Sequence, residues 1–93
     1  MIVAVLEVTV FLAEAQSLKD KRSIVQSVIR RCRNTANAAV AEVDGQDFWQ
    51  RATLAAAVIG GDQAHAERQL QNILALIERE PRLEVIAIER KFY

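Results

Sequence analysis

The chain has 93 residues, and its 12 basic side chains balance its 12 acidic ones, so the formal net charge is zero. Hydrophobic residues make up 52% of the sequence, which favours one globular domain with a core of modest size. The single cysteine, Cys32, excludes an intramolecular disulfide, and its place among apolar helix positions favours packing over a nucleophilic role.

The first predicted element is a strand over residues 2–12. Every second residue from Ile2 to Leu12 is apolar, whereas the intervening positions include Glu7 and Thr9. The apolar set is expected to face helices, and the mixed set to face solvent or a partner. The run is too short to span a bilayer and has no basic leader, so no membrane contact or signal peptide is predicted and the expected location is the cytoplasm.

A basic amphipathic helix is predicted over residues 18–36. Ser17 is suited to cap its first turn, and Asp20 stands where a capping box has Glu or Gln. Apolar residues recur at helical spacing through the segment. Lys21 lies near the apolar side and is expected to snorkel towards water, while Arg31 projects to the other flank.

Four more basic residues of this helix, together with one glutamine, follow one another at steps of three or four residues. This helix has six basic residues and one acid, a net charge of +5, so the rest of the chain carries −5. Two hypotheses account for the arrangement: a solvated helix face, or a surface that tracks the phosphates of RNA or a ribonucleoprotein. The helix has more basic residues without an acidic partner one turn away than its stability requires, which favours the hypothesis of a phosphate-tracking surface. The residues on this arc, here named the basic stripe, are Lys19, Arg22, Gln26, Arg30 and Arg33.

The rest of the chain predicts a second helix and three more strands. Asp62 caps that helix after Gly60-Gly61, and Pro81 ends it. The order of elements predicts one α+β domain over residues 1–93, a ferredoxin-like βαββαβ fold whose four-stranded antiparallel sheet carries both helices on one face. In the last strand, Ile86 and Ile88 are the expected core positions. The predicted strands cover residues 38–43, 50–59 and 83–92, and the helix covers residues 63–80.

The uncovered face of this sheet is predicted to be half apolar, and such faces commonly meet another subunit or a ligand. A homo-oligomeric or protein-binding role, with Phe11, Trp49 and Arg51 at the contact, is therefore an alternative to RNA binding. Trp49 and Arg51 could also stack on a base, but Phe11 is the only aromatic residue of the face, which disfavours the mode of RNA-recognition domains. The polar members are Glu7, Thr9, Arg51, Thr53, Glu89 and Lys91, beside Val3, Val5, Phe11 and Ile59.

Catalytic chemistry finds little support in the sequence. Three acids of the predicted hairpin, Glu42, Asp44 and Asp47, could bind a hard cation such as Mg²⁺, although a turn or interface role is favoured for this segment. His65 is the sole histidine, and no local nucleophile or orienting partner accompanies it. We expect no catalytic residue, no metal and no cofactor, and hence no enzyme. A small-molecule or metal-dependent enzyme that uses Glu42, Asp44 or Asp47 is the least favoured of the three hypotheses.

Three stretches of this sequence resemble the bacterial YlxP-like family, catalogued as domain of unknown function 503. They are residues 17–22 (SLKDKR), residues 41–51 (AEVDGQDFWQR) and the closing Ile88-Glu89-Arg90. The resemblance covers essentially the whole chain and implies a ferredoxin-like fold. Genes of the family often lie near those for ribosome maturation and translation initiation, which favours a ribonucleoprotein partner. The family offers no established catalytic residues to carry over.

Overall fold

The computed structural model of the protein describes residues 1–46 and 48–93, which form a strand-helix-strand-strand-helix-strand succession. The strands lie in one sheet in the order β2-β3-β1-β4, and every neighbouring pair is antiparallel. This is the predicted ferredoxin-like arrangement, and each boundary lies within two residues of its predicted place. The elements are β1 (Ile2–Phe11), α1 (Leu18–Thr35), β2 (Ala39–Asp44), β3 (Arg51–Gly60), α2 (Gln63–Glu78) and β4 (Glu84–Phe92).

Both helices begin at the residues whose side chains can cap them. The Ser17 hydroxyl accepts a hydrogen bond from the Asp20 N–H at 3.1 Å, and the Asp62 carboxylate accepts one from the His65 N–H at 2.8 Å. Asp20 in turn accepts from the Gln16 N–H at 3.2 Å, so this shorter acid closes a variant of the predicted capping box. Among the residues described, no helix is both long enough and apolar enough to cross a membrane.

The core lies between the sheet and the two helices. Alternate residues of β1 and β3 are buried there, as the period of two predicts. They pack against the apolar stripes of α1 and α2, which both match the predicted spacing. The helix residues of this core are Ile24, Val25, Val28, Ile29 and Cys32 of α1, with Ala66, Leu70, Ile73, Leu74 and Ile77 of α2.

The core prediction for β4 is wrong. Ile86 and Ile88 are 51% and 43% exposed, respectively. The pairing with β1 shifts between Thr9 and Val10, so Val85 instead of Ile86 lies opposite the buried Val10. Moreover, α2 packs mainly on β1 and β3 and touches β4 only lightly, so this edge strand is poorly covered even on the helix side. Val85 and Phe92 make the apolar contacts of β4 with the core.

The other edge of the sheet, β2, contains an irregularity of its own. Its register against β3 shifts between Glu42 and Asp44. The Arg33 guanidinium reaches from α1 to this strand and donates to the backbone carbonyl of Val40 at 2.6 Å. The flank of α1 that carries the basic stripe therefore lies on the β2 side of the molecule.

Candidate functional site

A buried lysine joins the start of α1 to the hairpin between β2 and β3. The side chain of Lys21 is 1% exposed, and its Nζ lies 2.7 Å from Glu42 Oε2. It also donates to the Gly45 carbonyl, which accepts the N–H of Phe48 at 3.0 Å as well. The expectation that Lys21 snorkels to water is wrong because this position faces the sheet, where Glu42 neutralises its charge.

Lys21 and Glu42 form a buried ion pair. Oε2 of Glu42 is buried and accepts no well-aligned hydrogen bond from the described residues, so the nearby ammonium is what balances its charge. The pair differs in burial, since the Glu42 side chain keeps 15% of its surface exposed. The sequence offers a basic and an acidic residue here, but it does not indicate that they meet.

The ion pair of Glu42 with Lys21 makes a cation site at the hairpin less favourable. Glu42 is occupied by Lys21, and Asp44 Oδ1 accepts the N–H of Gly45 at 2.8 Å, which stabilises the turn. Asp47 lies outside the residues that the structure describes. Within the described ranges, no three side chains of the metal-binding types come together.

The basic stripe is exposed along its whole length. At 1.5 Å of rise per residue, Lys19 and Arg33 are separated by about 21 Å along the helix axis. Lys19, Arg22 and Arg30 form no ion pair with any residue that the structure describes. Arg33 has a second role, since one of its nitrogens is bound to the edge strand.

Arg31, on the other flank of α1, belongs to a separate cluster around Glu80. This glutamate is 3% exposed, and its Oε1 accepts from Arg31 at 2.6 Å and from Arg82 at 2.7 Å. The hydrogen bond from the Arg82 side chain, helped by its backbone N–H and by Arg31, lowers the pKa of Glu80 to about 2 against the opposing effect of burial. The cluster ties α1 to the end of α2, so Arg31 is not part of the basic stripe. The sequence does not predict this contact.

The three predicted interface residues Phe11, Trp49 and Arg51 meet around one depression. It has a volume of about 420 Å³, and Phe48 and Gln50 complete its lining. We name these five residues the aromatic pocket. Phe11 and Arg51 are cross-strand neighbours, while Phe48 and Trp49, which are 64% and 51% exposed, come from the hairpin loop. The sequence prediction missed Phe48 and Gln50, although the place of Phe48 beside Trp49 in a loop is a usable signal.

Backbone contacts fix the position of this loop. The Gln50 carbonyl accepts the N–H of Leu12 at 2.8 Å, and its side-chain amide donates to the Ala13 carbonyl at 3.4 Å. The aromatic pocket thus lies at the end of the sheet where β1 leads into α1.

The open sheet face has the predicted residues. The register pairs Val3 with Ile59, and it pairs Thr9 with Thr53, whose hydroxyls lie 3.2 Å apart. Glu7 lies opposite Glu89 across β1 and β4, a like-charge neighbour pair. A role of this face in association stays a prediction.

Cys32 and His65 have the predicted surroundings. Cys32 is fully buried, and burial raises the pKa of its thiol against the smaller, lowering effect of Arg31, which favours the protonated form. His65 is exposed in the first turn of α2, with its Nε2 2.8 Å from the Gln69 amide nitrogen.

Comparison with known proteins identifies a family and a relative. The family described as "Protein of unknown function (DUF503)" matches residues 3–90. A protein of Bacillus subtilis (strain 168), named "Uncharacterized protein YlxP", is 34% identical over 71 residues, which cover 76% of this chain and 77% of that protein.

Proposed function

We propose that this chain, which belongs to the DUF503 family, is a binding module for RNA, either free or in a ribonucleoprotein, and that it works through the basic stripe of α1. The supporting observation is that Lys19, Arg22 and Arg30 are exposed and form no ion pair with the described residues. A non-enzymatic role is part of the proposal, since the cations are suited to hold a phosphate backbone and carry no reactive group.

The contrast with the other cations of α1 supports this reasoning. Lys21 and Arg31 are bound to Glu42 and Glu80, so their charges serve the fold. Among the cations of the basic stripe, Arg33 contacts β2, and the other three form no ion pair with the described residues. The first two and the last two of these cations are three residues, or about 4.5 Å, apart along the helix axis, and the uncharged Gln26 stands in the gap of about 12 Å between Arg22 and Arg30. A rigid row of positive charge can follow a polyanion without reading its sequence.

A salt series on a pair of charge-reversal variants tests the proposal. The first variant is Arg22→Glu/Arg30→Glu, and the matched control is Arg68→Glu/Arg90→Glu, which changes two exposed arginines of α2 and β4. Each variant lowers the net charge from 0 to −4, because two side chains each change from +1 to −1. Binding to a fragment of ribosomal RNA is measured by gel shift or fluorescence anisotropy.

The expected result follows from counterion release. Three phosphate contacts to a single strand give a slope of about −2 in log K against log salt, so raising the salt about fourfold weakens binding about 20-fold. The stripe variant loses two contacts, which reduces the slope by about 1.4, whereas the control keeps the wild-type slope. Absence of binding at low salt, or equal losses in both variants, would refute the proposal.

The second candidate function is self-association through the open sheet face. A row of large apolar side chains crosses that face at the end away from the aromatic pocket: Ile59, Val3 and Tyr93. Ile59 and Tyr93 are 68% and 69% exposed, so a second copy of the chain would remove substantial apolar surface from water. Ile59→Glu should abolish the concentration-dependent mass increase measured by light scattering. A wild-type protein that is monomeric at every concentration would exclude this candidate.

A further inference from the structure

We infer that the aromatic pocket holds an unpaired base of single-stranded RNA, so that the protein prefers single strands to duplexes. This inference rests on the proposed function, since the basic stripe would hold the backbone of the same strand. It assigns a ligand to the exposed aromatic residues of the pocket, whose positions neither ion pairing nor core packing explains.

The lining of the pocket suits a flat aromatic ligand. Three aromatic rings and the Arg51 guanidinium surround a depression of about 420 Å³, within the usual range of small-ligand sites. Aromatic rings stack on any base because every base has a π-face, and a guanidinium plane adds a cation–π contribution. Phe48 and Trp49 keep more than half of their surface exposed, although burying either side chain in the core would be favourable.

The pocket is also connected to the basic stripe. The Gly45 carbonyl accepts hydrogen bonds from both Lys21 of α1 and the N–H of Phe48. Lys19 and Arg22 flank Lys21 in the same helical turn, so only the hairpin loop separates the pocket from the first two cations of the stripe. A strand whose phosphates contact these cations can place a neighbouring base in the pocket.

This location also sets the preference for single strands. In a duplex, the flat faces of the bases are stacked on their neighbours and cannot reach a pocket on a loop. Glu84 of β4 pairs in register with Phe11, so a strand that crossed β4 would meet a carboxylate there. On the β2 side, Glu42 is paired with Lys21, Asp44 accepts the Gly45 N–H, and Arg33 of the basic stripe is bound to the edge strand. A backbone is therefore expected to approach from the side of α1.

Trp49 makes the test direct, because it is the only tryptophan in the chain. The probes are a short oligouridylate, an oligoadenylate of equal length and a duplex formed from the two. Stacking should quench the fluorescence of Trp49 on titration with either single strand. The oligoadenylate should reach half-saturation at the lower concentration, because the larger ring system of adenine stacks more strongly. The duplex should leave the emission nearly unchanged.

Variants separate stacking from simple charge attraction. Trp49→Ala should weaken binding of the labelled oligoadenylate about 5- to 150-fold by anisotropy, and Trp49→Phe should retain most of the affinity. Ile86→Ala is the control, since that large apolar side chain is 51% exposed and lies outside both the pocket and the row formed by Ile59, Val3 and Tyr93. A far-UV circular dichroism spectrum that matches the wild type confirms that the Trp49 variants are folded.

The outcomes distinguish this inference from the proposed function. If RNA binds with the expected dependence on Arg22 and Arg30 but Trp49→Ala binds normally and the emission does not change, the inference is wrong and the proposed function stands. If no RNA binds at low salt, both fail. If the emission of Trp49 changes with protein concentration alone, and Trp49→Ala abolishes that self-association, the pocket is an interface between copies and the inference is overturned.

Discussion

The ion pair between Lys21 and Glu42 gives the sharpest prediction about stability. Replacing Lys21 by Met keeps the apolar stem but leaves the Glu42 carboxylate without its partner 2.7 Å away. Breaking one side of a buried ion pair costs about 3 to 5 kcal/mol. Glu42 retains 15% exposure and can recover some hydration, so the lower end applies, about 3 kcal/mol. For a domain of this size, the melting temperature should fall by about 12 to 24 °C.

Urea and thermal unfolding followed by far-UV circular dichroism measure this loss. Lys19→Met is the matched control, because Lys19 is exposed in the same helical turn, and its effect should stay within about 0.5 kcal/mol. The double variant Lys21→Met/Glu42→Leu should recover most of the stability, since no unpaired charge remains at the site. If Lys21→Met costs no more than Lys19→Met, or if the effects at positions 21 and 42 simply add, the two residues do not form the buried pair described above.

Two further changes test the Glu80 cluster and the hairpin turn. The pKa of Glu80 is lowered from 4.5 to about 2, so its stabilising effect is complete above the ordinary value and is lost as the pH falls from there towards 2. The full pKa shift corresponds to about 3 kcal/mol of folding stability, which is reduced to about 2 kcal/mol because both arginines are partly exposed to solvent. In urea unfolding, Glu80→Gln should remove this contribution to the loss of stability in acid. An unchanged dependence of stability on pH would contradict the role of Glu80. Gly45→Ala should cost about 1 to 2 kcal/mol, because Gly45 has a φ of 83° and a Cβ there would lie 3.1 Å from the Arg51 carbonyl oxygen. Gly61→Ala is its control in the same unfolding assay, since the added Cβ meets nothing within 4 Å, and equal losses in the two variants would refute the argument.

The sequence predicts the elements that depend on local patterns. Period-two alternation in β1 identifies its buried face, and the caps Ser17 and Asp62 begin the helices where expected. The same alternation places Phe11 and Arg51 on the open face, which is why two residues of the pocket could be predicted together.

The remaining features depend on contacts between distant residues. Lys21 and Gly45 are 24 positions apart in the sequence, and Arg31 and Glu80 are 49 positions apart, so no short-range sequence pattern indicates either contact. Strict alternation along β4 predicts that Ile86 lies in the core, but the bulge in β4 breaks that alternation.

The two irregular edges of the sheet have a consequence for assembly. A strand from another molecule would need a straight row of free backbone groups. In β2, Arg33 is bound to the Val40 carbonyl and the register shifts between Glu42 and Asp44, while β4 has a bulge followed by Glu89, Arg90 and Lys91. Bulges and charged side chains at such positions disfavour strand addition, which is the route to open-ended ribbons and cross-β fibres. The protein can therefore leave a half-apolar sheet face uncovered with a reduced risk of polymerising through its edges, because neither edge offers a regular row of free backbone groups.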